Sequence, residues 1–160
     1  YHNKGEYAPE GGVNMAPRQY QRKIRTGSAR FEDVYRAVSE YRSLYPDKAV
    51  VYSAQKHPEL CWASLMAGGS CTAIPVKDEA FLRSIASMKP QVSANAYLLK
   101  GDNGCVIYKD QDNADTTIDM GDGRLIVCQI DAKTGNIKKL KEAKGSATID
   151  GKGIYWIRRK

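Results

Sequence analysis

A change of hydrophobic period near residue 91 constrains this chain more than any other feature. Ahead of it, Phe31, Val34, Tyr35, Val38, Tyr41 and Tyr45 recur at i, i+3, i+4, i+7, i+10 and i+14, the spacing of one face of an α-helix. Ser28 is placed to cap that helix, Glu32 and Asp33 suit its positive end, and Pro46 closes it. Ala49–Ser53 is a short apolar run bounded by turn residues and reads as a buried strand. Pro58, at a first helical position, opens a second helix that carries Leu60, Trp62 and Leu65 to a stop at Gly68-Gly69. A third helix spans Asp78 to Met88, buries Phe81, Leu82 and Ile85, and ends before Pro90. Helix, strand, helix, helix is the grammar of a βα-repeat fold, here with one strand.

Beyond Pro90 the grammar becomes that of short strands. They recur at Ala96–Lys100, Cys105–Lys109, Thr116–Met120, Arg124–Asp131, Ile137–Lys141, Ala147–Ile149 and Ile154–Arg158. Gly101–Gly104, Gly121–Gly123, Lys133–Asn136 and Asp150–Gly153 supply turns between them. Seven short strands with turn signals roughly every 8–12 residues predict a small antiparallel β-sandwich over 91–160.

At 160 residues the chain suits one ordinary domain or two small ones. No apolar run approaches the ~18 residues that a membrane span needs. Tyr1 to Ser28 is irregular, with Pro9, Pro17 and glycines at 5, 11, 12 and 27. Tyr1 to Glu10 has no apolar h-region, so any signal peptide lies outside this sequence, and a start in mid-loop suggests a processed product or a fragment.

The net charge of +7 raises the question of an anionic partner. Basic residues cluster at Arg18, Arg22, Lys23, Arg25 and Arg30, again at Lys138, Lys139, Lys141 and Lys144, and at Arg158, Arg159 and Lys160. None of these lies in an aromatic RNA-binding signature, a zinc-finger spacing or a helix-turn-helix pattern, so nucleic acid is not the expected partner. Cys61, Cys71, Cys105 and Cys128 form no CxxC, and with only His2 and His57 beside them no zinc site is expected, nor any other metal or cofactor. An exported protein could pair four cysteines in three ways, but their density is that of small buried hydrophobes rather than of a disulfide scaffold.

Several stretches together resemble a known architecture. Cys61-Trp-Ala-Ser-Leu-Met-Ala-Gly-Gly-Ser70, Ile74-Pro75 and Phe81–Met88 resemble the end of the barrel in apiosidase-like families of secreted bacterial glycoside hydrolases. The last ~65 residues resemble the β-domain that closes such chains, through a Tyr-Leu strand, a strand ending Val-Ile-Tyr, the turn Ile130-Asp131-Ala-Lys-Thr-Gly135 and the final strand Ile154–Arg158. That turn usually carries Pro after Asp, where this chain has Ala132. The resemblance covers about residues 47 to 160. It implies an α+β chain: residues 1–90 as the C-terminal segment of a (β/α)8-type barrel, and 91–160 as a C-terminal β-sandwich domain. It also implies a secreted, periplasmic or cell-surface setting, and a polysaccharide or oligosaccharide met through a parent protein. A whole barrel needs at least ~200 residues, so these would hold at most its final quarter. No catalytic acid or nucleophile can be carried onto a numbered position.

Glycoside hydrolysis requires two carboxyls facing each other across a sugar. Glu6 and Glu10 stand in a Gly-rich stretch with His2, Tyr7 and Arg18 that suits a barrel-top loop meeting substrate, although most charges on such loops do nothing of the kind. Lys56 and His57 follow the expected strand Ala49–Ser53, the end at which barrels place their sites. Glu59 is better placed to complement a helix start. Trp62 reads as core. Of Tyr155 and Trp156 on the last strand one is expected to face outward, with Trp inward as the commoner arrangement. The function expected is a fragment of a glycoside hydrolase-like protein. The alternatives are a non-catalytic carbohydrate- or protein-binding β module and, third, a basic nucleic-acid binder.

Overall fold

The computed structural model describes residues 30–52, 57–70, 72–112 and 114–160. They divide into two compact units, one ending at Thr72 and one spanning Ala73–Lys160.

The first unit contains helices α1 (Phe31–Leu44) and α2 (Pro58–Met66). Ser28 lies outside the described residues, and the position that flanks α1 is Arg30. Asp33, three residues in, reaches back to accept from the Arg30 amide at 3.2 Å and from its Nε at 3.3 Å. The helix stops before Pro46, where the Tyr45 amide still donates to Tyr41 O. Val34 and Val38 of α1 close on Leu60, Ala63 and Ala67, with Phe31, Tyr35, Val50 and Tyr52 packed around them. Pro58 occupies the first turn of α2. At its far end Gly68 turns into the left-handed region at φ 78°. There its amide bonds Leu65 O at 2.9 Å while the Gly69 amide bonds Ser64 O at 2.8 Å, the paired closure that satisfies the last helix carbonyls.

The strand expected at Ala49–Ser53 is not formed. Residues 49–52 carry no ladder, Val51 is exposed, and Val50 O instead accepts from the Ser70 amide at 2.7 Å; residues 53–56 lie outside the described set. A strand exists only through its neighbour, and among the described residues this unit has no second one to pair with.

The second unit is a six-stranded sheet with one helix. Helix α3 (Glu79–Ile85) starts at Asp78, whose carboxylate accepts from the Phe81 amide at 2.8 Å. It is followed by β1 (Lys89–Gln91), β2 (Tyr97–Gly101), β3 (Gly104–Lys109), β4 (Thr116–Ile130), β5 (Ile137–Ile149) and β6 (Gly153–Arg159). The order across the sheet is β1-β2-β3-β6-β4-β5, and every neighbouring pair is antiparallel. Thus α3 is shorter than expected, and Pro90 sits in an edge strand, where its missing amide costs no ladder bond.

The sheet is single and open, not the two-sheet sandwich expected, and the reason lies at Gly121–Gly123. Read as a turn between two strands, this segment is a bulge within one: residues 120–123 of β4 oppose Gly145 alone. Gly121, Gly123 and Gly145 all take positive φ there. The bulge bends the long β4–β5 hairpin so that Ile118, Met120, Ala147 and Ile149 pack with Leu98, Cys105, Ile107, Leu125, Val127, Tyr155 and Ile157. One folded sheet thereby buries a face that two sheets would otherwise bury. Arg159 holds the bend, donating to Met120 O at 2.6 Å and Asp122 O at 3.0 Å.

Both Tyr155 and Trp156 are buried, so neither faces outward as one of them was expected to. Strand β6 runs between β3 and β4, and both its faces are covered. Tyr155 enters the cluster above, its hydroxyl bonding Gly151 O at 3.2 Å and Lys152 O at 3.3 Å. Trp156, on the other face, lies opposite Val106 and Cys128 and meets Phe81 of α3 edge-on at 5.3 Å.

Two glycines separate backbone freedom from crowding. Gly135 and Gly145 have nearly the same φ, 73° and 75°. A Cβ at Gly145 would meet only Gly121 O at 3.7 Å, whereas one at Gly135 would lie 2.5 Å from the Pro75 carbonyl. In urea titrations Gly145→Ala should lose about 1–2 kcal/mol for the left-handed backbone alone. Gly135→Ala should lose about 3 kcal/mol or more because a backbone contact must also give way. Equal losses would show that the Pro75 approach is not tight.

Candidate functional site

Short turns bring the ends of β3, β4 and β6 together at one end of the sheet, and an open cleft of about 660 Å³ lies there. Tyr108 and Asp110 line it from β3 and the residue beyond, Gln129 and Asp131 from the end of β4, Asn136 and Lys138 from the start of β5, and Lys152 from the turn into β6. The half-buried Tyr108 ring stands beside its cross-strand partner Tyr97, centroids 6.1 Å apart. Below it the Lys109 side chain is buried, its ammonium donating to the carbonyls of Ala114, Ile149 and Asp150. That ammonium ties the end of β3 to the loop after it and to the end of β5.

The turn that forms one wall is fixed by Asp131. Its Oδ1 accepts from the Lys133 amide at 3.0 Å, the Thr134 amide at 2.7 Å and the Thr134 hydroxyl at 2.8 Å. The Gly135 amide closes the turn on Asp131 O at 2.8 Å, and Asn136 O receives the Asp131 amide at 2.9 Å. Bonds from the Thr134 amide and hydroxyl and from the Lys133 amide, with the Lys133 charge, hold the Asp131 carboxyl below its ordinary value. A general acid in glycoside cleavage needs the opposite shift. With its Oδ1 taken up by three donors of its own turn, Asp131 holds the cleft wall in place.

With an aromatic ring, two side-chain amides, carboxylates and ammonium groups around an open floor, the cleft offers donors and acceptors suited to a hydroxylated ligand.

The residues singled out in the sequence fall elsewhere. Glu6, Glu10 and Lys56 lie outside the described residues. His57 flanks the start of α2, exposed, with its Nδ1 3.3 Å from Glu59 Oε1. That pair belongs to the first unit, and the cleft to the second. Trp62 is buried. Cys61, Cys105 and Cys128 are free and buried, while Cys71 lies outside the described residues. Burial pushes the Cys105 thiol up to about 12, which makes it inert as a nucleophile. Among the described residues no three His, Cys, Asp or Glu side chains are grouped to hold a metal, and no helix is long and apolar enough to cross a membrane. Sequence reasoning missed the cleft because Tyr108, Gln129 and Asn136 are separated along the chain and meet only through strand order. The one available signal was the Asp131–Gly135 turn.

A family model described as "Domain of unknown function (DUF6298)" matches residues 1–88. No curated protein matches the chain. Among solved structures, the chain is similar to one described as "Glycoside hydrolase", with 12% identity and a TM-score of 0.54 over 84% of this chain and 49% of that one. A glycoside hydrolase family 5 protein from Bacteroides vulgatus ATCC 8482 aligns at 14% identity and a TM-score of 0.41, over 83% of this chain and 37% of that one. The chain thus spans about half the length of the first and less of the second. At 12% identity the first likeness is one of fold.

The Asp131 bonds carry a pH signature. Because its native value is depressed, the turn's contribution is fully present above the ordinary 3.8 and is lost as pH falls through the lower native value. Asp131→Ala should therefore melt below the parent chain at neutral pH, and the gap should close as the medium is acidified below 3.8. A gap independent of pH would mean that the carboxylate charge contributes nothing.

Proposed function

We propose that this chain, which belongs to the family described as a domain of unknown function (DUF6298), is the closing part of a glycoside hydrolase-like, carbohydrate-active protein. The observation that carries this reading is the fold likeness to a glycoside hydrolase across 84% of the chain. The apiosidase-like resemblance of Cys61–Ser70 and of the turn Ile130–Gly135 points the same way. In this reading residues 1–90 close a (β/α)-type barrel whose remaining strands come from the rest of a longer protein. Residues 49–52, which form no ladder among the described residues, are then the segment that would join those strands. The sheet that follows is a supporting domain. Glu6, Glu10, Lys56 and His57 are proposed to meet substrate at the barrel mouth, with the parent secreted, periplasmic or at the cell surface.

A second reading rests on the cleft. It is built wholly by the second unit and offers sugar-compatible groups, which favours a β module that binds carbohydrate without catalysis.

Activity separates the two. On a broad set of plant and microbial glycans, residues 1–160 alone should release no sugar above background, since one barrel end cannot place two carboxyls across a glycosidic bond. The longer gene product should turn over at least one of them. Turnover by the 160-residue chain that disappears in Glu6→Gln or Glu10→Gln would place the whole site here and overturn the fragment reading. Binding without turnover in the longer product would favour the module.

A further inference from the structure

We propose that the open edge of the sheet, along β5 from Lys138 to Lys144 and across to Arg124 on β4, binds an anionic polysaccharide whose carboxylate or sulfate groups repeat along an extended chain. This rests on the carbohydrate reading above and names the class of glycan.

Among the described residues strand β5 pairs only with β4 and takes no strand on its other side. Between Lys138 and Lys144 it carries Lys138, Lys139, Lys141 and Lys144, with Glu142 as the one acid. Glu142 is already engaged: the Lys139 ammonium bonds its carboxylate, and Lys160 Nζ lies 3.4 Å from Oε1. Its charge is therefore answered within the fold. Arg124 and Lys144 stand directly opposite each other across the β4–β5 ladder. Among the described residues neither side chain has a carboxylate within ion-pair distance. Like charges placed opposite weaken strand pairing, and a local conflict kept in a folded chain points to a requirement outside the fold. The C-terminal Lys160 adds to the corner, its amide bonding Arg124 O at 2.9 Å.

Lysines on an open edge also deter edge-to-edge association. That accounts for β5 but not for Arg124, which is on an inner strand. The dimensions favour a polymer over a small anion: Lys138 to Lys144 extends about 20 Å at the strand rise of ~3.3 Å per residue. Lys138 lines the cleft on the sheet face opposite to Arg124, Lys139 and Lys144, so the cations flank the open edge from both faces. The strip's exposed apolar side chain is Leu140, and it bears no aromatic ring. Single-stranded nucleic acids need rings on which bases stack. An acidic glycan needs only cations and hydrogen-bond donors.

The test compares four probes on the full 160-residue chain: polygalacturonate, the same polymer fully methyl-esterified, heparin, and duplex DNA. Binding to polygalacturonate (the carboxylate arm) or heparin (the sulfate arm) is expected, falling steeply from low to physiological salt. The esterified polymer should bind at least about tenfold more weakly, and Arg124→Gln/Lys144→Gln should lose about tenfold for the charged one, as removal of paired charge contacts does. Lys48→Gln/Lys89→Gln, off the strip, should bind as the parent does. Arg124→Gln alone, with an unchanged circular dichroism spectrum, guards against misfolding of the double variant and should show a smaller loss in the same direction. Failure to bind either charged glycan at low salt, undiminished binding by the strip variants, or tighter binding to DNA than to both glycans overturns the proposal. A longer gene product without hydrolase activity would count against the hydrolase reading while leaving these binding results intact.

Discussion

The second unit depends on the placement of its last strand. Strand β6 lies between β3 and β4, so the halves of the sheet are joined only when residues 153–159 are in position. Every residue from Ile154 to Ile157 is buried. Tyr155 and Ile157 serve the folded core, while Trp156 serves the face that α3 covers with Phe81. Because contacts on both faces meet in this one strand, the local β2–β3 and β4–β5 hairpins are joined into one sheet by the pairing of β6 with β3 and β4.

That central strand also governs the sheet's two ends. At one end the Arg159 side chain satisfies carbonyls of the β4 bulge, so the bend that folds β4 and β5 over the core is held by the strand that closes the sheet. Arg158 meanwhile lies against the Trp156 ring, 5.3 Å from its centroid. At the other end the approach to β6 runs through Lys152 and Gly153, which line the cleft. The Asp131 turn and the buried Lys109 ammonium lock the neighbouring walls. Rigid walls around an open floor are what a pre-formed binding cleft requires, since little is then lost to ordering on binding.

Charge is distributed with comparable economy. Glu142 and the Arg30–Asp33 contact answer positive charge locally. Among the described residues, Arg124 and Lys144 face each other across the β4–β5 ladder with no carboxylate at ion-pair distance. Net charge of this kind does not select a fold, but it does select partners.

Much of the local structure was legible in the sequence because it arises within a few residues. The apolar stripe from Phe31, Pro58 at a first helical turn, Gly68 at a helix stop and the Asp131–Gly135 turn each carry their own conformational reason. The strand content beyond residue 96 followed from the turn residues in the same way. What stayed hidden depends on neighbours distant in sequence. Residues 49–52 have the composition of a strand but no ladder, since pairing is a property of two segments. Gly121–Gly123 has the composition of a turn, and only the register of β4 against β5 makes it a bulge and one sheet out of an expected two. Tyr155 and Trp156 alternate as on a half-exposed strand, yet insertion of β6 at the centre covers both. The cleft likewise comes from strand order, which brings Tyr108, Gln129 and Asn136 together. The sequence by itself determined helix ends, turns and the charge of the outer strand, because those rest on backbone dihedrals and composition. Strand order, the folded core and the cleft were decided only in the tertiary structure, where one residue's burial depends on which distant strand lies beside it.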